Sequence, residues 1–267
     1  MARIVTTLNE AIAAGVVQDV AALNKFGGIN DVDNGPTDVW GVQGIYTGFP
    51  LGAPETVNVV STSTNDNGTT SPQGTGAHEV LISGLKTATS TAYETETITL
   101  NGDTPVPSVS TWYRINRAIV VSAGSTGWNE GVITVSHTTT TANVFVSIPA
   151  AYGQSIVACW TVPYGCDFHL TNLRSFFSRT AGLDGSGELL LQVRKPGGAW
   201  NTKYNFWITT KTFIDTKLVL PLKLTEMTDI RMHLHTVSSI NSRISCGFSG
   251  IFGTQDNIRN AIRNYGS

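Results

Sequence analysis

Period-two alternation of apolar and polar side chains runs through the second half of the chain. It occurs in four consecutive segments: residues 188–194, 217–224, 230–235 and 243–252. In the first segment, Leu189, Leu191 and Val193 share one face. Because successive side chains of a β-strand point to opposite faces, the pattern predicts a sheet with one buried and one solvated face. Pro221 lacks an amide hydrogen, which places its strand at a sheet edge or a bulge.

Composition favours an all-β protein. Charged residues make up 13% of the chain, about half the usual share of roughly 25%, and glycine contributes 27 of the 267 residues. Turn signals separate further predicted strands at residues 57–63, 79–83, 95–100, 113–122, 131–136, 155–162 and 168–177. The predicted fold is two consecutive β-sandwich units, the first immunoglobulin-like and the second jelly-roll-like, with a short N-terminal helix and an extended arm.

These elements divide the chain into four predicted parts. The helix and arm occupy residues 1–56, and the small sandwich occupies residues 57–141. The jelly-roll-like sandwich follows at residues 142–254, and a polar tail at residues 255–267 adds a final helical turn. A polar run at residues 137–141 marks the boundary between the two sandwiches.

The N-terminal segment has the pattern of an amphipathic helix. Thr7 and Glu10 fit a capping box, and apolar residues follow at helical spacing, namely Leu8, Ile12, Val16, Val20 and Leu23. An isolated helix of this length is marginal in water, so its apolar stripe must pack on something. Two alternatives are open: the helix covers an end of its own sheet, or it docks on another subunit.

Residues 26–56 are rich in glycine and proline and carry Trp40, Tyr46 and Phe49. This composition predicts an extended arm held by aromatic anchors. The five apolar residues of the helical stripe and these three aromatic residues form the candidate assembly interface. We expect a chain lacking residues 1–50 to fold as a β-protein and to fail to join its assembly.

Charge and hydropathy exclude several classes of partner. The net charge is −2 with a pI near 6.2, which disfavours direct binding to nucleic acid. No apolar run approaches the roughly 18 residues of a membrane-spanning helix, and the N-terminus lacks the apolar block of a secretory signal. Low charge also leaves large neutral surfaces that subunits can cover without desolvating ions, which predicts a homo-oligomer, with a trimer as first choice.

The cysteines predict no disulfide framework, because Cys159, Cys166 and Cys246 make an odd count. Their spacing also lacks the pattern of a structural zinc site. Free cysteines are among the most buried residue types, so the prediction is three buried, reduced thiols.

Candidate catalytic and metal-binding residues are few. Glu94 and Glu96 form the closest carboxylate pair, but their position on one strand favours a solvated, structural role over a glycosidase dyad. His233 and His235 share one strand face, where a solvated pair is favoured over two metal ligands. Residues 31–35 imitate the start of a calcium loop but lack the required later Glu. The sequence therefore predicts a non-enzyme without a catalytic site, metal site or cofactor.

Aromatic residues beside glycine-rich loops offer a different kind of site. Trp128 and Trp200 are the candidate exposed contact aromatics, and a core or loop-anchor role is the alternative. Exposed tryptophan side chains of this kind would suit a carbohydrate-binding module that attaches to host glycans. A polysaccharide-cleaving enzyme is a third hypothesis, and it lacks a convincing acid pair.

Several ordered segments carry a resemblance to a known family. They are NKFGGINDVDNGPTDVW with GIYTGFP, GTGAHEVLISGL, ETETITLNGDTPV, YRINRAIVVSAGSTGWNEGVITV, WTVPYG and PLKLTEMTDIRMHL. In these segments, which span most of residues 24–253, the chain resembles a family of bacteriophage virion structural proteins. The resemblance implies a β-rich, non-enzymatic protein located in the virion, with major capsid or neck and tail subunits as partners. A capsid decoration, cement or head-fibre protein is the first expectation, and a neck or tail component is the alternative.

Overall fold

A computed structural model describes residues 8–33, 35–179, 184–210, 213–238 and 240–265. Within these residues the chain forms two short helices and sixteen strands. The helices are α1 (Leu8–Ala13) and α2 (Gln255–Tyr265). The strands are β1 (Val20–Val32), β2 (Thr37–Asp38), β3 (Val57–Ser61), β4 (Ala77–Leu85), β5 (Glu94–Thr99), β6 (Val106–Pro107), β7 (Arg114–Ala123), β8 (Ile133–His137), β9 (Val144–Ile148), β10 (Cys159–Thr161), β11 (Asp167–Arg179), β12 (Ser186–Arg194), β13 (Asn201–Thr209), β14 (Phe213–Leu224), β15 (Asp229–Val237) and β16 (Ser242–Gly253). The prediction of an all-β protein is confirmed.

Two antiparallel sheets in the middle of the chain share one buried core. Their strand orders are β6-β3-β8-β9 and β5-β4-β7. Side chains from both sheets meet in this core, among them Val59, Ile82, Ile115 and Phe145. The five strands predicted between residues 57 and 136 correspond to β3, β4, β5, β7 and β8. Strand β9 pairs with β8, so its hydrogen bonds join this group, whereas the predicted boundary at residue 141 assigns it to the next unit.

Two further sheets surround a second core. Their orders are β1-β16-β11-β14 and β10-β15-β12-β13, with β2 paired to β15. Leu189 and Leu191 of β12 point into this core together with Phe168 and Phe248, as the period-two alternation predicts. The four alternating segments correspond to β12, β14, β15 and β16, but the predicted solvated face is wrong for most of β15, where residues 229–234 are all buried.

Pro221 lies where the sequence predicts, at an edge and in a bulge. Strand β14 ends its sheet and pairs with β11 alone among the described strands. The register passes from Leu222 opposite Leu170 to Lys217 opposite Asn172, so residues 218–221 have no partner in β11. A proline costs no ladder hydrogen bond there.

The helical prediction is wrong beyond residue 13. Helix α1 ends at Ala13, and Gly15 follows in the left-handed region with φ of 68°. Glycine adopts this conformation without steric cost and commonly terminates a helix. Val20 and Leu23, predicted to continue the helix, lie in β1, where Val20 is opposite Gly253 of β16.

The predicted extended arm is largely part of the two cores. Strand β1 pairs along β16, and β2 pairs with β15, so both complete sheets of the second group. The next residues place Trp40, Tyr46 and Phe49 in the core of the first group. Residues 20–49 therefore connect the two cores within one chain.

The three cysteines are free and buried, which confirms the sequence-based prediction. Burial raises the pKa of the Cys159 and Cys246 thiols well above the usual value. They pack as small apolar side chains.

Candidate assembly surface

Large apolar side chains are exposed on the last strand of each sheet in the second group. On β14, Val219 is 97% exposed, Leu220 80% and Phe213 66%. On β13, Trp207 is 68% exposed. We call these four residues the exposed edge. Val219 and Leu220 lie in the unpaired stretch next to Pro221, which explains why they project from the sheet.

The backbone and charges of β14 also suit a contact with another chain. No described strand pairs with the side of β14 that faces away from β11, so the N–H and C=O groups on that side can pair with a further strand. Lys223 forms an ion pair of 2.8 Å with Asp167, and Asp215 lies 3.6 Å from Arg174. These pairs flank the apolar stretch, but the exposed Lys217 adjoins it, so a partner that covers this stretch must also accommodate that ammonium group.

The predicted helical interface is mostly folded onto the chain itself. Ile12 and Val20 are buried in a small cluster with Ile251, Ile258 and Ala261. Leu8 packs partly against this cluster, Leu23 packs against the second core, and Val16 is 58% exposed. Of the two alternatives, α1 thus covers an end of its own sheet. A contact with another subunit through these residues stays a prediction.

The three aromatic residues of the arm are also internal. Trp40, Tyr46 and Phe49 are each less than 9% exposed, and successive rings meet edge to face at 5.2 and 4.8 Å. The Tyr46 hydroxyl donates a 2.7 Å hydrogen bond to the Phe145 carbonyl oxygen. These contacts hold residues 40–49 on the first core, and the proposed role of the rings in assembly stays a prediction.

The two candidate contact tryptophans differ in exposure. Trp128 is 50% exposed. Trp200 is half-buried, with the guanidinium carbons of Arg194 and Arg231 at 4.4 and 4.2 Å from its ring, and it acts as an internal anchor. Trp207 is more exposed than either, but it lies on β13 and not beside a glycine-rich loop, the signal that selects Trp128 and Trp200 in the sequence.

A buried ionic cluster joins β2 to β15. Asp38 Oδ1 lies 2.6 Å from His233 Nδ1, and Asp38 Oδ2 accepts hydrogen bonds from Arg231 Nη1 at 3.1 Å and the Tyr46 amide at 2.8 Å. His233 is 5% exposed, so the predicted solvated pair with His235 is wrong for this residue. The physical reason is that β2 pairs with β15 and places the buried carboxylate of Asp38 opposite His233.

A second buried cluster connects the two groups of sheets. Asp229 of β15 lies 3.6 Å from Arg114 of β7 and 3.3 Å from Arg194 of β12. Thr161 donates a 2.6 Å hydrogen bond to the same carboxylate. Burial raises the pKa of Asp229, and the nearby Arg114 opposes that rise. Both clusters fix elements that are distant in the chain.

The candidate acid residues have structural contacts. Glu94 is exposed and forms a 3.0 Å ion pair with Lys86. Glu96 accepts backbone hydrogen bonds from Val109 at 2.6 Å and Ser110 at 3.0 Å, which holds the turn before β7. Among the described residues, no group of three or more His, Cys, Asp or Glu side chains is placed to hold a metal ion.

Comparisons with known proteins give little. No family model and no curated protein sequence matches the chain. A structure of the T13 particle of infectious bursal disease virus is 10% identical, covers 94% of this chain and 76% of that chain, and gives a TM-score of 0.25. A structure of T=1 particles derived from infectious bursal virus is 12% identical, covers 94% of this chain and 76% of that chain, and gives a TM-score of 0.24. Scores of this size carry no argument about fold or function.

Neither described helix has the length and hydropathy to cross a membrane.

Proposed function

We propose that this chain is a non-enzymatic structural component of a bacteriophage virion, with the role of a capsid decoration, cement or head-fibre protein. The observation that carries the proposal is the exposed edge. Four large apolar side chains on terminal strands, each at least 66% exposed, are a feature of surfaces that another subunit covers. The ordered segments that resemble phage virion proteins support the same role, and a neck or tail position is the alternative within it.

Self-association is part of this proposal. The exposed edge is apolar, and the nearby Asp215 and Lys223 are in ion pairs within the chain, so a homo-oligomer built on it, a trimer in the first instance, should be insensitive to salt. Light scattering of the purified chain at low and high ionic strength tests this. The same oligomer in both conditions supports the proposal, and a monomer in both at tens of micromolar protein contradicts it.

The virion role is tested on purified particles. Quantitative mass spectrometry of particles from an infected culture should find the chain at a fixed ratio to the major capsid protein. A chain that is expressed in infected cells but missing from purified particles contradicts the proposal. Imaging of particles that carry a labelled version separates a head position from a neck or tail position.

Attachment to a host glycan is the second candidate function. The half-exposed ring of Trp128 favours it, because sugars stack on exposed indole surfaces. The packing of Trp200 between two arginines removes the other predicted platform residue. Glycan-dependent quenching of tryptophan fluorescence, lost in Trp128→Ala and kept in Trp207→Ala, would support this candidate.

The finer description of the fold is likewise a proposal. We describe the first group of sheets as an immunoglobulin-like sandwich and the second as a jelly-roll-like sandwich. Their shared cores support two sandwiches. Division of the chain into domains at residues 56, 141 and 254 stays a prediction.

A further inference from the structure

A cleft of about 390 Å³ lies between the edges of β1 and β7, away from the exposed edge. Its walls combine polar groups of β1, β7 and β10 with apolar groups that include Leu23 and Phe252. Among the described residues that line it, there is no Asp or Glu. A cleft of this size is in the range of small-molecule sites.

One buried donor in the cleft wall, the Asn116 side-chain amide nitrogen, lacks a hydrogen-bond partner within the described chain. Asn116 is 8% exposed. The Trp160 indole, by contrast, faces the Tyr93 hydroxyl oxygen. Buried polar groups are almost always paired, because an unpaired donor loses its bonds to water without replacement. The Asn116 amide therefore points to an acceptor that is supplied from outside the chain.

Lys25 brings a cationic group to the same place. It is 4% exposed, and its Nζ donates a 2.5 Å hydrogen bond to the Asn116 carbonyl oxygen. That bond occupies one of the three ammonium hydrogens. The neighbouring Arg117 donates a 3.2 Å hydrogen bond to the Asn24 carbonyl oxygen and adds a second positive charge.

Tyr93 adds a further donor. Burial raises the pKa of Tyr93 well above its usual value, although the neighbouring Trp160 indole opposes this, so the hydroxyl keeps its proton at neutral pH. Its oxygen has no hydrogen bond of normal geometry within the described residues. The cleft thus gathers donors and positive charge beside an apolar wall.

We propose that this cleft binds an organic carboxylate. The carboxylate oxygens accept hydrogen bonds from Lys25 and Asn116, and the apolar body of the ligand packs against Leu23 and Phe252. The proposal is independent of the virion role and of the exposed edge.

Binding should be coupled to a proton. Burial lowers the pKa of Lys25 to about 7, and the nearby Arg117 adds to this effect. Cys159 also acts on the amine, and Tyr93 lines the same cleft; both keep their protons at neutral pH because burial raises each pKa. A bound carboxylate favours the charged ammonium, so binding at about pH 8 should draw a proton from the buffer.

Isothermal titration calorimetry of the full chain tests the site with three probes. Hexanoate has both parts of the expected ligand, inorganic phosphate has the charge without the apolar body, and hexanol has the apolar chain without the charge. We expect hexanoate to bind with a Kd of about 1 mM or below. Absence of hexanoate binding, or equal binding of phosphate or hexanol, overturns the proposal.

Two variants locate the binding. Asn116→Asp replaces a donor with a repelling carboxylate of similar size, and Lys25→Met removes the ammonium, so each should weaken hexanoate binding at least about tenfold. Lys203→Met, on an exposed strand, is the matched control and should bind as the parent does. Proton uptake is measured on the unmodified chain in two buffers of different ionisation enthalpy. Binding without uptake at about pH 8, or unchanged binding in a folded Asn116→Asp variant, overturns the assignment.

Discussion

His233 Nδ1 lies 2.6 Å from Oδ1 of Asp38, and both side chains are buried although 195 positions separate them in the chain. The same carboxylate receives Arg231 from β15 and the amide of Tyr46. Asp38 therefore binds β15 through two side chains and also holds the backbone of Tyr46, whose ring enters the first core. The arm is a structural part of both cores.

Asp38→Asn should lower the free energy of unfolding by about 3–5 kcal/mol, because it leaves Arg231 buried without its anionic partner. Denaturant titration at neutral pH measures this. Asp256→Asn is the control: the carboxylate of Asp256 is exposed and lies 3.9 Å from Arg259, so the change should stay within about 0.5 kcal/mol. A loss of similar size in both variants would contradict the structural role of Asp38.

Lys25→Met should change the pH dependence of stability. The pKa of Lys25 is about 7 in the folded chain, against 10.5 for an unperturbed lysine, so the unfolded chain binds more protons between these values. Stability of the parent therefore rises with pH across this window through Lys25, whereas the variant lacks that contribution.

The free energy of unfolding of Lys25→Met minus that of the parent should accordingly fall by about 3 kcal/mol between about pH 7 and about pH 10. Unfolding experiments on both chains at each pH give this difference, and other titrating groups cancel because both chains share them. Lys203→Met should show no such trend. A difference that is constant with pH would mean that Lys25 keeps its normal pKa in the folded chain.

Deletions at the N-terminus should separate α1 from the arm. Removal of residues 1–18 deletes α1 and exposes part of the cluster around Ile258, so we expect a folded chain that is less stable by about 1–3 kcal/mol. Removal of residues 1–50 deletes β1, β2 and three core aromatics. We now expect that chain not to fold, contrary to the sequence-based expectation. Near-UV circular dichroism of both deletions is the measurement, and a folded 51–267 fragment would contradict the account.

Substitution of Glu94 and substitution of Glu96 should lower stability by different amounts, and we expect neither residue to be catalytic. Glu94→Gln removes an exposed ion pair and should cost less than about 0.5 kcal/mol. Glu96→Gln weakens two backbone hydrogen bonds and should cost about 1 kcal/mol. Thermal unfolding compares the two. Release of reducing sugar from a polysaccharide by the parent, lost in the double variant, would instead establish an enzyme.

The sequence predicted strands well where alternation is local. Leu189 and Leu191 reveal a half-buried strand without knowledge of its neighbours, and Pro221 reveals an edge because its missing donor is a property of the residue itself. Strand β1 was not predicted, because Val20 and Leu23 fit the helical spacing and the glycines after Phe26 indicate an extended arm. The structure shows the reason for Gly27: a Cβ there would lie 2.3 Å from the Val39 carbonyl oxygen. That close approach depends on a neighbour brought in by the fold.

Exposure and burial of individual residues depended on long-range pairing. Trp207 and Val219 have the side chains of core residues, and their exposure follows from the positions of β13 and β14 at the ends of their sheets. His233 has the pattern of a solvated residue, and its burial follows from β2. No local sequence pattern identifies the cleft around Lys25, since its walls come from five strands and the segment before β5.

Particle incorporation of exposed-edge variants tests the account most directly. A Val219→Ser, Leu220→Ser double variant changes two side chains that are 97% and 80% exposed, so it should fold as the parent does. Val109→Ser, at a position 93% exposed between β6 and β7, is the matched control. Each chain is supplied during infection, and its copy number in purified particles is measured by quantitative mass spectrometry. The account predicts loss of the edge variant from particles and normal incorporation of the control; normal incorporation of the folded edge variant would contradict it.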